Sequence, residues 1–325
     1  MNVRSSLFAT VTDGDIRAIL RAALGTTPIE YRLMSGGLFN TTYFVKTADR
    51  GDVVLRLGPV NRHLLLHFEH DMMEAEATVY RICAAHGIPA SELLAVDTSK
   101  ALIDRDIMIV RYLPSTTYTL DRAQSPFTAH ITARLYRELG ESIAKLHTLV
   151  GTGFGHVYDV SHGRGHARWS DFLKDELDKL IATCAPHALF TAHEEQAMRD
   201  VLVRHTDILD EVAIPHLVHA DLGPNNLLIR TDTPEPTFGA FIDPDRAVWG
   251  DPDLDFAYME WMQCDDLWQG YGRSLAMDDA SVRRRLIYKM IRWVCNAFVW
   301  EVEYGRHDYM VGTVNELREI LKKLS

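Results

Sequence analysis

Apolar and polar positions along this chain follow two rhythms, and the rhythm changes near residue 125. The segment Asp13–Leu24 carries helical spacing, with Asp13 as its expected N-cap and Gly25 just past its end. Strand chemistry follows in "EYRLM", "FNTTYFVKT" and "DVVLRLG", separated by the Gly-containing turns "SGG" and "DRG", which predicts an antiparallel meander. A helix is predicted over 68–86, closed by Gly87 and Pro89, and "ALIDRDIMIVRYL" reads as two further strands ended by Pro114. Beyond 125 the pattern turns helical. Leu135, Leu139, Ile143 and Leu146 form one amphipathic stripe, and 169–184 forms another. A third helix over 191–209 opens with Thr191 and Glu194 in capping-box spacing, and the tail from 278 to 322 is helical again. These elements predict an α+β chain of two lobes: residues 1–114 as a small antiparallel β-sheet lobe with one internal helix, and 115–325 as a larger, mainly helical lobe. With no Pro/Gly/Ser-rich linker between them, the boundary near 114 reads as a hinge.

Composition narrows the class. A chain of 325 residues has ample core for two lobes. Its 47% hydrophobic and 24% charged content is that of a soluble globular protein. No apolar run approaches the roughly 18 residues of a membrane span, and the N-terminal residues lack the apolar core of a secretory signal. Cys83, Cys184, Cys264 and Cys295 are far apart, so reduced thiols and a cytoplasmic setting are expected. The net charge of −11 argues against a nucleic-acid partner and is compatible with a cationic small molecule.

The chemistry concentrates in residues 217–229, "LVHADLGPNNLLI". Taken singly, its Asp, Gly, Pro and Asn residues suit a turn. Their context adds more. The runs "LLIR" and "FGAFI", joined by "TDTPEPT", predict a hairpin that returns Asp243 to the side of Asn226. An Asn and an Asp so placed offer the oxygen ligands Mg²⁺ prefers, and Asp221 on the same loop can accept the proton of a hydroxyl.

The pattern H-x-D-x-x-x-x-N, then I-D, then G-D-P-x-x-D-F-A, resembles the aminoglycoside phosphotransferase and choline kinase family. It is carried by His219, Asp221, Asn226, Asp243, Gly250, Asp251, Pro252 and Asp255. Gly-Asp-Pro follows Asp243 by only seven residues, with no long activation segment of the protein-kinase kind between them. The resemblance implies a bilobal protein-kinase-like fold and transfer of the γ-phosphate of ATP or GTP to a small-molecule hydroxyl. It assigns Asp221 as base, Asn226 and Asp243 as Mg²⁺ ligands, and His219 and Asp255 as supports of the loop. In the first lobe Ser35, Gly36 and Gly37 resemble the family's nucleotide-covering turn. Arg56 in "VVLRLGP" stands where protein kinases carry a phosphate-binding lysine, with Glu76 as its partner in preference to Glu74. The segment holding Val110, Tyr112 and Leu113 resembles the purine-binding hinge.

Competing patterns fail. Asp251, Asp253 and Asp255 alternate like calcium-loop ligands, but Phe256 and Met262 occupy positions that require Gly and Glu. His156, His162 and His166 lack a neighbouring Cys or carboxylate pattern and read as exposed. Neither a Walker A motif nor G-x-S-x-G occurs. For the acceptor, the acidic balance and the resemblance point to an aminoglycoside-type or other amine-bearing antibiotic. Glu260, Asp265, Asp266, Glu301 and Glu303 are candidate partners for its ammonium groups. Choline, homoserine, methylthioribose and amino-sugar kinases share the same loops, and a non-catalytic nucleotide-binding protein is the alternative of another class. The choice between ATP and GTP and the oligomeric state are not legible in the sequence.

Overall fold

Local signals start the first lobe. Thr12 caps helix α1 (Asp13–Leu24) in a reciprocal box with Asp15, one residue earlier than the expected Asp13, and Gly25 closes it in the left-handed conformation. The structure, a computed structural model, describes residues 5–34, 39–117, 126–259 and 262–325. Strands β1 (Pro28–Leu33), β2 (Thr41–Thr47) and β3 (Asp52–Leu57) form the expected meander. A 3₁₀ turn over His67–Asp71 leads into α2 (Met72–Ala85), and β4 (Leu93–Asp97) and β5 (Ile107–Arg111) complete an antiparallel sheet of order β1-β2-β3-β5-β4. Its inner face buries Tyr43, Val45, Val53, Leu55 and Ile109 under α1. Side chains alternate between the two faces of a strand, so the same period that marked these runs in the sequence sets their burial.

One expectation fails here. Residues 101–113 hold a single strand, and its partner β4 lies upstream. The segment before β5 is bent because Arg105 is spent on tertiary contacts. Its guanidinium donates to the carbonyls of Gly58, Leu57 and Ala9 and to the Thr41 hydroxyl. Five donors in a rigid fork tie four chain segments together, which a solvent-facing strand residue could not do.

The helical lobe begins with β6 (Ser115–Thr117), α3 (Ala129–Leu146), β7 (Gly155–His156) and the short α4 (Val157–Ser161). Then come α5 (Trp169–Cys184), α6 (Ala192–Arg204) with the expected Thr191–Glu194 box, and the single turn α7 (Thr206–Leu209). The helix expected over 191–209 is therefore broken at His205. Strand β8 (His216–Val218) precedes the loop of interest, and β9 (Leu227–Arg230) and β10 (Thr237–Phe241) are the expected hairpin. Next are β11 (Val248–Gly250), α8 (Asp253–Tyr258), α9 (Asp265–Tyr271), α10 (Asp279–Phe298) and α11 (His307–Leu324). The tail is thus two helices. A π-helical turn over Val299–Glu303 and Gly305 in the left-handed region separate them.

Two small sheets brace the loops. β6 adds to the hairpin in the order β10-β9-β6, and β11 lies between β7 and β8. The helical core gathers Trp169, Leu177, Met198, Tyr288 and Leu317 from α5, α6, α10 and α11. Among the described residues no helix is long and apolar enough to cross a membrane.

Candidate active site

The hairpin places the two ends of the constellation side by side. Leu227 pairs with Phe241, and Ile242 N–H donates to the Asn226 carbonyl at 3.0 Å. Asn226 Nδ2 donates to the Asp221 carbonyl at 2.8 Å and to Asp221 Oδ2 at 3.0 Å. Those two donated bonds set the amide, leaving its oxygen, the only acceptor on that side chain, for a cation. Asp243 follows the hairpin in the left-handed region at φ 56°, a conformation rare for a residue with a Cβ.

The loop carrying Asp221 is held from behind. The buried Asp255 carboxylate accepts from His219 N at 3.1 Å, Ala220 N at 2.8 Å and His147 Nε2 at 3.0 Å. Ala220 adopts φ 62°, so those bonds sustain a strained turn immediately before Asp221. His219 Nδ1 accepts from Asp221 N, which leaves Nε2 to donate to the Ile242 carbonyl at 3.1 Å. His219 thereby ties the Asp221 loop to the Asp243 strand. Gly250 packs so closely on the Trp169 ring that an added Cβ would lie 2.5 Å from it. Asp251 accepts from the Tyr288 hydroxyl at 2.7 Å and from Asp253 N at 3.0 Å.

Arg56, on β3, is buried between two carboxylates. It forms an ion pair with Glu76 of α2, and its Nη2 lies 2.5 Å from Asp243 Oδ1. Glu76 also accepts from the Tyr80 hydroxyl at 2.5 Å, while Glu74 points outward to Arg81. Burial disfavours the Arg56 charge, but Asp243 and Glu76 outweigh it and hold the guanidinium protonated. Val110 is buried in β5, and Tyr112 donates its N–H to Asp52 and sets its ring edge-on to Phe44. Leu113 then approaches Gly239 of the hairpin. Ser35, Gly36, Gly37 and Glu260 lie outside the described residues.

Sequence reasoning missed three members of the site. Arg292 of α10 lies 2.6 Å from Asp221 Oδ1. Burial alone would raise the Asp221 carboxyl, but the charges of Arg292, Arg246 and His219 outweigh it and hold the group below the usual range. Arg246 donates to Glu69 at 3.0 Å and lies over the Phe68 ring. Asp245 is half-buried beside Asp243 and Glu76, and desolvation plus those two charges push its carboxyl well up. Asp245 and Arg246 were within reach of sequence, two and three residues after Asp243. Arg292 was not, because 71 residues separate it from Asp221.

A cavity of about 70 Å³ opens beside this group. Its wall includes Ala220, Arg246, Arg292, Tyr258, Phe68 and Phe172. Among the described residues, the four carboxylates expected to receive ammonium groups do not line this cavity. Asp265 opens α9, Asp266 pairs with Arg137, Glu301 with His307, and Glu303 is buried beside Glu69. The expected exposure of His156 also fails, since that ring is half-buried against Phe68 and Glu176.

The model of the phosphotransferase enzyme family matches residues 30–286. The chain belongs to that family. It is a phosphotransferase, a kinase that acts on a hydroxyl group of a small molecule. Solved structures share the fold. The gentamicin complex of APH(2'')-IIa is 17% identical with a TM-score of 0.67, covering 95% of this chain and 97% of that one. The GDP and kanamycin complex of APH(2'')-IIIa is 15% identical with a TM-score of 0.63, covering 94% and 97%. The macrolide 2'-phosphotransferase MphH from Brachybacterium faecium is 18% identical with a TM-score of 0.59, covering 94% and 98%. Comparison with curated protein sequences gives no match.

Proposed function

We propose that this kinase moves the γ-phosphate of ATP or GTP onto a hydroxyl of an acceptor with a substantial apolar body, seated in the cavity beside Asp221. Residues 1–114 form the nucleotide lobe in this reading, with Val110 to Leu113 as the purine hinge and Ser35, Gly36 and Gly37 covering the phosphates. Asp221 orients the acceptor hydroxyl and receives its proton. Its carboxylate is kept ionised by the two arginines, so it is a weak base whose main contribution is position. Arg56, braced by Glu76, steadies the phosphates. Asn226 and Asp243 suit Mg²⁺, since the Asn226 amide presents its oxygen and Asp243, Asp245 and Glu76 crowd three carboxyl groups at one place. Mg²⁺ held there would neutralise charge on the transferring phosphoryl group.

The observation that carries the acceptor reading is the cavity wall. It combines two guanidinium groups with four phenyl and phenol rings and the His156 imidazole, and Glu176 is the carboxylate on it. A polycationic acceptor would meet Arg246 and Arg292, and like charges at short range oppose binding. A ring system or aliphatic body would instead remove apolar surface from water, worth about 25 cal/mol per Å².

The test is a diphosphate-release screen with ATP and with GTP in the presence of Mg²⁺. Its acceptors are aminoglycosides, macrolides and small metabolic alcohols such as choline and homoserine. Asp221→Ala is expected to abolish turnover and leave nucleotide affinity largely unchanged. Normal turnover by that variant would overturn the assignment of the base. Saturable turnover of aminoglycosides with none of apolar alcohols would return the acceptor to the amine-bearing class.

A further inference from the structure

Three side chains outside the phosphoryl-transfer group converge on one point. His67 stands in the turn ahead of α2, His156 in β7 and Glu176 on α5, so three separate segments contribute. His67 Nε2 lies 2.9 Å and His156 Nε2 3.0 Å from the same Glu176 oxygen, and the three ligand atoms all fall within 4.8 Å of one another. Glu176 is 7% exposed. Phe68 stacks on the His156 ring at 4.9 Å and Phe172 meets it edge-on at 5.4 Å, which restricts its rotation.

We propose that His67, His156 and Glu176 bind one divalent transition-metal ion of the Zn²⁺ type. Two imidazole nitrogens and one carboxylate oxygen make a donor set found in zinc sites that keep a fourth position open. Imidazole suits zinc, copper, iron and nickel, whereas Mg²⁺ takes oxygen, so this ion is distinct from any Mg²⁺ at Asn226 and Asp243. Room for a fourth ligand exists on both sides. The acceptor cavity and a second, polar cavity of about 80 Å³ each have His156 and Glu176 in their walls. Bound there, the ion would fasten the His67 turn, which leads into the helix carrying Glu76, to α5 of the helical lobe. It would also present a Lewis-acid position at the wall of the acceptor cavity.

The experiment strips the full-length protein with a chelator and titrates it with Co²⁺ and with Zn²⁺ in excess Mg²⁺. One ion per chain is expected, with the intense visible bands of four-coordinate Co²⁺ and a Tm raised by Zn²⁺. His67→Ala and Glu176→Gln should each weaken Zn²⁺ binding by at least about tenfold. His166→Ala, whose ring instead faces Asp175, should leave it unchanged. Absence of a saturable Co²⁺ signal from the unsubstituted protein would overturn the site and leave a hydrogen-bonded clamp. The site is equally overturned if His67→Ala binds as tightly as the parent, or if His166→Ala abolishes binding. Because the parent titration decides first, a variant that fails to fold does not obscure the result.

Discussion

Arg292 Nη2 lies 2.6 Å from Asp221 Oδ1, and the guanidinium also sits over the Tyr258 ring. A cation carried by α10 therefore holds the Asp221 carboxylate, the group proposed to orient the acceptor hydroxyl. The pair is partly buried, so its attraction is screened less than that of a surface pair. With Arg292→Ala, burial of Asp221 acts with less opposition and its pKa rises. The acidic limb of the kcat profile should move to higher pH, and kcat at neutral pH should fall by about 10–100-fold. Rate measurements between mildly acidic and neutral pH check this. A profile superimposable on the parent's would mean that Arg292 does not act through Asp221.

Arg56 links Glu76 to Asp243 across the two lobes. Arg56→Met leaves two carboxylates without their shared cation, and removing one partner of a buried pair costs about 3–5 kcal/mol. The KM for nucleotide should rise and Tm should fall together. Arg56→Lys keeps the charge but loses the fork that reaches both carboxylates, so it should recover part of each effect. Steady-state kinetics with calorimetry separates the two variants. Equal behaviour of Lys and Met would rule out a role for charge at this position.

Helices α3 and α9 touch backbone to backbone. A Cβ added at Gly270 would lie 2.0 Å from the Arg137 carbonyl oxygen, and one at Gly140 would lie 2.3 Å from that of Leu267. Gly270→Ala should destabilise by about 3 kcal/mol, the upper part of the range for overpacking, because neither neighbour is a movable side-chain end. The strain also reaches the active site. Tyr271 of α9 bonds His147 at 2.9 Å, and His147 bonds Asp255, which holds the amides before Asp221. Denaturant unfolding measures the first effect, and kcat of the surviving folded fraction measures the second.

Glu303 is buried beside Glu69, and burial with that neighbouring charge pushes its carboxyl from 4.5 to about 10. The folded chain keeps a proton there that the unfolded chain releases above 4.5. The stabilising contribution is therefore complete below that value and is lost as pH rises toward about 10. Glu303→Gln mimics the protonated group and should remove this dependence, which for one proton is at most about 1.4 kcal/mol per pH unit. Unfolding free energies measured from pH 4.5 to about 10 would decide. An unchanged slope in the variant would place the titration elsewhere.

Much of this molecule was written in local order. Residue period set the meander of the first lobe and the helices of the second, because burial on one face is a property of neighbours in sequence. The loop spacing around Asp221 and Asn226, with Asp243 one hairpin away, was legible for the same reason: a hairpin joins positions close along the chain. The family followed from those residues. What the sequence could not determine was which distant side chains complete the site. Arg292 on Asp221, Tyr271 on His147, and Glu176 between His67 and His156 are each joined across 20 to 124 residues. Arg105 likewise turned an expected strand into a cross-link. Of the acidic residues expected as an ammonium-binding set, packing paired Asp266 and Glu301 and buried Glu303. Local pattern decides which face of an element is apolar. Only the packing of those faces decides which charges meet, and here it put arginines and aromatic rings, in place of free carboxylates, beside Asp221.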